Sequence, residues 1–221
     1  MNEFYTKNKV IQWIVAIIMA VLLFVIMGFY FDKMTSSLLG FLLFFVFVPV
    51  FQFLATPIFT LTGGYRYLSP MLLVFSATDK KYDLHNGTSF DYLMVMRNTK
   101  PGSEWQHKML FYYIDGLLEI VRRVEANEIP ETIEVRGSSY FFSASTAKRL
   151  GFELSETGTF EKFNLVVNYL DLLWMYSLTY GRLKFPKLND IKTATSSGKI
   201  LVAKKAYLLQ LKNYLEQKVT V

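Results

Sequence analysis

The chain has no cysteine, which excludes disulfides, iron–sulfur clusters and thiolate-ligated zinc and agrees with a reducing compartment. Histidine is nearly as scarce. Only His85 and His107 are present, so any imidazole base is one of these two, and no pair of metal ligands at helix or strand spacing accompanies either. Charge is missing from two long stretches, Lys9 to Asp32 and Lys33 to Arg66, with no ionisable Asp, Glu, Lys or Arg inside either. No nucleic-acid motif is present, and the modest excess of basic residues fits attraction to anionic lipid better than nucleic-acid binding.

Apolar length takes the place of what is missing. The composition is 52% hydrophobic and 17% aromatic, too apolar for an ordinary soluble domain, yet the chain beyond residue 65 is too charged to be wholly buried. Two parts follow. Residues 10–31 form an uncharged run long enough to cross a hydrocarbon core of roughly 30 Å as a helix of about 20 residues. A second such run has its most apolar part at 38–59, with Asp32 and Lys33 in the turn between. Backbone groups in hydrocarbon must be satisfied within the segment, so residues 1–65 are expected to be a transmembrane helical hairpin. A cleaved signal is the poorer reading, because the apolar run exceeds the usual span of about 7–15 residues and no small-x-small site ends it.

Basic residues flank the open end of this hairpin, with Lys7 and Lys9 before it and Arg66, Lys80 and Lys81 after it. That bias predicts cytoplasmic termini and a cytoplasmic domain over residues 66–221. Phe4 and Tyr5 are expected as aromatic anchors at the interface. Pro49, Gln52 and Pro57 interrupt the second run, and Gln52 is expected to contact another helix or, less simply, to line an oligomeric pore.

The domain reads as α+β. Tyr67 to Phe75 is predicted as one apolar strand, and Tyr82 to Met96 as a β-hairpin turning at Asn86-Gly87. Ser103 opens a long amphipathic helix to about Glu125, with Gln106 completing a capping box. Thr132 to Arg136 is predicted as a strand, Ser143 to Leu150 as a helix stopped by Gly151, and Phe152 to Leu154 as a returning strand. Phe163 to Tyr180 is nearly apolar all round, with Asp171 as its only charge and Asn164, Asn168, Ser177 and Thr179 adding to its polar load. A third span would put Asp171 near the bilayer centre, so a helix held between the core and the membrane surface is favoured. Ile200 to Glu216 is a basic amphipathic helix.

Candidate chemistry is sparse. Asp83, His85 and Asp91 bracket the predicted Asn86-Gly87 turn, and a carboxylate that orients an imidazole is what a general base requires. The order of elements from residue 94 to 153, ending in AKRLGFE, resembles the core of the GNAT acyltransferase superfamily. That resemblance implies an acyl-CoA cofactor whose pyrophosphate lies at a helix N-terminus, here Arg97, Gly102 and Ser103. Members carry Gln/Arg-x-x-Gly-x-Gly/Ala at this place, and the present sequence has one glycine at a different distance. The aromatic residues Phe141, Phe142, Trp174 and Tyr176, together with Gln52 and Asp171, point instead to interaction surfaces. The expected function is a subunit or scaffold of a membrane-associated complex, with no cofactor. Its partners are the lipid bilayer and other membrane subunits or copies of itself. A tethered GNAT-like enzyme and an oligomeric pore are the alternatives.

Overall fold

The computed structural model describes residues 3–34, 40, 43–138, 144–188 and 191–219. Two long apolar helices come first. Helix α1 spans Lys9–Met34 and α2 spans Phe44–Leu61, so at 1.5 Å per residue they measure about 39 and 27 Å. Both are long and apolar enough to cross a bilayer. They pack side by side, with Tyr30 stacked on Phe47 at 4.4 Å and Leu23 clustered with Leu54 and Ala55. Asp32 and Lys33 do not form the turn but lie in the last turn of α1, where they pair at 3.2 Å in solvent. The start of the second run is outside the described residues until Phe44, apart from Gly40.

Beyond the hairpin lies a mixed six-stranded sheet. Its strands are β1 (Tyr65–Ser69), β2 (Leu72–Phe75), β3 (Lys81–Asn86), β4 (Glu134–Ser138), β5 (Glu153–Glu156) and β6 (Lys192–Ser197), in the spatial order β1-β2-β3-β4-β6-β5. Only β3 and β4 pair in parallel, which requires a crossover, and the long helix α3 (Ser103–Glu125) supplies it. Further helices are α4 (Ala144–Leu150), α5 (Thr159–Val167), α6 (Tyr169–Tyr180), α7 (Gly198–Ala203) and α8 (Lys205–Val219). One face of the sheet is apolar and buried. Leu72, Val74, Tyr82 and Val135 join Ile114, Leu117, Ile120 and Val121 of α3 and Leu201, Leu208 and Leu215 of the last two helices in one core. Gly116 lets α3 approach closely, because a Cβ there would sit 2.6 Å from Leu72.

Several expected elements differ. The strand predicted over 67–75 is a tight hairpin, β1 and β2 folding back at Pro70 and Met71. The hairpin predicted over 82–96 is a single strand, β3, followed by a short helix (Ser89–Asp91) that continues as a π-helical segment (Tyr92–Met96). Gly87 serves close packing there, since a Cβ would meet the Met71 side chain at 2.8 Å and the Asp91 Cβ at 3.0 Å. The Ser103–Gln106 capping box is replaced by a Gly102 cap with φ of 99°, and the Gln106 amide donates to the Thr179 carbonyl at 2.9 Å. The single apolar helix over 163–180 is broken at Asn168 into α5 and α6, and the last helix is broken at Lys204. Strand β6, composed of small polar residues, was not foreseen.

A buried polar network ties the hairpin to the sheet. Asp91 is 0% exposed, and its carboxylate accepts from the Tyr67 hydroxyl at 2.7 Å and from the Thr88 backbone N–H at 2.8 Å. The Thr88 hydroxyl lies 3.1 Å from Asp91 and 2.8 Å from the Thr56 hydroxyl of α2. Tyr5 donates to Thr60 of α2 at 2.9 Å, and Phe4 packs edge-on against Phe90. These two N-terminal aromatics are therefore buried wedges between hairpin and domain rather than interfacial anchors. Removing the Tyr67 hydroxyl leaves a buried carboxylate short of a donor, so Tyr67→Phe is expected to cost about 1–3 kcal/mol in unfolding of the full chain. A loss below about 0.5 kcal/mol would show that Asp91 does not depend on this bond.

Candidate functional site

Strand residues alternate between faces, and the second face of the sheet is polar where the first is apolar. Lys81, Asp83 and His85 of β3 and Arg136 of β4 share it. Helices α5 and α6 roof this face without filling the space beneath, leaving a cavity of about 610 Å³. Its walls also include Asn86 to Ser89 after β3, Tyr65 of β1, Phe75 of β2 and Gln52 of α2, so hairpin and domain both contribute. That volume lies within the range of small-molecule sites, about 300–1,000 Å³.

Most charges within it are matched in pairs. Lys81 meets Asp83 at 2.9 Å, and Arg136 forms an ion pair with Glu161 of α5. His85 is open to the cavity but closely surrounded by protein, and this burial pushes its pKa down against the opposing pull of Asp83. A neutral imidazole at neutral pH can both donate and accept. The Gln52 side-chain amide donates to Asn168 at the α5–α6 break, and the Asn168 amide in turn donates to the Asn164 carbonyl at 2.8 Å.

Asp171 differs from its neighbours. Only 5% exposed, it takes hydrogen bonds on Oδ1 from Ser89 at 3.0 Å and from the Trp174 indole at 3.0 Å, while Oδ2 is buried without a partner. Burial raises its pKa, and the two donated bonds only partly offset that. Trp174 does not face outward. Its ring packs edge-on against Tyr92 at 5.1 Å, which itself stacks on Trp105.

The structure divides the expected catalytic trio. His85 and Asp83 share the cavity floor, whereas the Asp91 carboxylate is committed to Tyr67 and Thr88 at the joint, because the chain after Gly87 turns into a helix instead of returning as a strand. Arg97 is exposed beyond the π-helical segment, and Ser103 is the first residue of α3. The N-terminus of α3 is approached by α6, with the Gly102 N–H donating to the Leu178 carbonyl at 2.8 Å and a Cβ on Gly181 coming within 3.4 Å of Gly102. Phe141 and Phe142 lie outside the described residues. Gln52 and Asp171 do meet at one cavity, joined by residues that the sequence did not single out: Ser89, Arg136, Glu161, Asn164 and Asn168. The one available signal was the alternation of Lys81, Asp83 and His85 with Tyr82 and Leu84. Comparison with family models, curated proteins and solved structures finds no match to this chain.

A raised carboxyl pKa means that the folded protein holds this proton more tightly than the unfolded chain, whose value is near the ordinary 3.8. Stability contributed by Asp171 therefore falls as pH rises from about 4 through the raised value. Asp171→Asn keeps an acceptor for Ser89 and Trp174 but cannot ionise. Its melting temperature is expected to gain on that of the wild-type protein as pH rises from about 4 to 7, and a constant difference would show that no charge is buried there.

Proposed function

We propose that the chain is a two-span membrane protein, with its domain and both flanking ends cytoplasmic, that serves a membrane-associated complex as a ligand-binding subunit. The observation that carries this reading is the shared cavity: Gln52, midway along an apolar helix, and Asp171, within the domain, line one space. A pocket built from a long apolar helix and a domain makes the two parts one site, which neither a soluble receptor nor an isolated span would provide.

Exposed apolar groups support the same reading. The outer face of α1 presents Ile14, Ile17, Ile18, Val21 and Phe24 to whatever surrounds it, lipid or another span. Helix α5 carries Phe160, which lines the cavity, and Phe163 one turn on, at 80% and 63% exposure. Such rings on a short helix next to two spans suit immersion in the headgroup layer. A GNAT-like activity draws less support, because α6 covers the helix end that would cradle a pyrophosphate. A pore draws less as well, because the Gln52 amide is engaged by Asn168.

The absence of native cysteine makes the topology directly testable. Asp32→Cys is expected to react with an impermeant maleimide applied to intact cells, while Lys218→Cys should react only after the membrane is opened. Labelling of both from outside, or of neither before lysis, would overturn the two-span arrangement.

A further inference from the structure

A second, apolar hollow of about 410 Å³ adjoins the cavity and shares Gln52, Tyr65 and Phe75 with it. Its other lining comes from Phe44, Phe47, Val48 and Phe51 of α2, spaced i, i+3, i+4 and i+7 and so on one helix face, with Phe59 further along. From Gln52, where the chamber meets it, to Phe44 this face runs about 12 Å, most of one leaflet's share of a hydrocarbon core roughly 30 Å thick. A polar chamber thus opens into an aromatic groove along the helix proposed to span the bilayer.

Resting on the reading of the cavity as a ligand site, we infer that its ligand is a membrane amphiphile, with one acyl chain along the α2 groove and its headgroup inside the chamber. The chamber also defines the headgroup. Lys81 and Arg136 are each matched by a carboxylate, so no cation there is left over for a net anionic group. Asp171 Oδ2, buried and unpartnered, needs a hydrogen-bond donor, and His85 and the Gln52–Asn168–Asn164 amides line the space around the chamber. The headgroup that satisfies these groups has no net charge and carries an ammonium or hydroxyl donor.

Native mass spectrometry of the full-length protein in phosphatidylcholine nanodiscs tests this, since phosphatidylcholine is neutral but has no headgroup donor. Phosphatidylethanolamine and a monohexosyl diacylglycerol present the donor as ammonium or as hydroxyls, and phosphatidylglycerol adds a net negative charge. At least one of the first two is expected to bind one per chain, about tenfold more tightly than phosphatidylcholine or phosphatidylglycerol. Asp171→Asn replaces the free acceptor by a donor and should erase that preference. Val48→Trp fills the groove and should weaken lipid binding about tenfold while leaving the melting temperature of the protein unchanged. Equal binding of phosphatidylglycerol overturns the headgroup assignment, and failure of both donor lipids to exceed phosphatidylcholine overturns the inference as a whole. If water-soluble glycerophosphoethanolamine or a free hexose binds as tightly as the lipid, and Val48→Trp has no effect, the ligand is soluble and only the cavity reading survives. If none of the probes responds to Asp171→Asn, the cavity is not the ligand site and the proposed function falls with the inference.

Discussion

A carboxylate with no access to water has to be met by donors, and Asp91 sets the geometry of this protein by that requirement. Tyr67 reaches it from β1, and Thr88 reaches it from the turn after β3 with both its N–H and its hydroxyl. The Thr88 hydroxyl also meets Thr56, so one acidic group fixes the first strand, the end of the third and the inner helix of the hairpin relative to one another. The cavity lies beside this joint and borrows from it. Ser89 follows Thr88 directly, and Gln52 stands one helical turn before Thr56 on the same side of α2.

How much of this could be read from the sequence depended on how long each pattern persisted. Helix α3 was legible to the residue and α1 to within three, because a sustained 3.6-residue stripe and an unbroken apolar run each average over many positions. Short segments were not. Asn86-Gly87 has the composition of a hairpin turn, yet the backbone at Gly87 is not in the positive-φ region, and the residue is small so that Met71 and Asp91 can close on it. The run from Phe163 to Tyr180 has helical composition throughout, and its break falls at Asn168, the residue whose side chain meets the Gln52 amide, a tertiary contact that local propensity does not encode. Strand β6 reads KTATSS, with none of the large apolar residues that mark a buried strand, and its pairing with β4 and β5 on either side is a tertiary arrangement that its composition does not signal.

The cavity was legible residue by residue but not as an assembly. Gln52 and Asp171 stand out as polar groups in apolar runs, Asp83 and His85 as a carboxylate beside a scarce imidazole, and all four line it. What joins them is the second face of the sheet, which exists only once β3 and β4 pair across the intervening α3 crossover. Asp91 stood out for the same reason as Asp83, but it faces the joint, where its role is to hold elements together.

Strand order in the sheet has a consequence for the order of assembly. From β1 to β4 each new strand finds its neighbour already made, so the sheet can grow as the chain is synthesised. The pattern then inverts. Strand β5 has β6 as its neighbour in the sheet, and β6 comes later in the chain, so the segment holding α4, β5 and α5 has no template when it emerges. One wall of the chamber is therefore set late, after β6 has inserted between β4 and β5. A nascent chain halted before Lys192 would lack Thr193 in the floor of the chamber and leave β5 without its neighbour in the sheet.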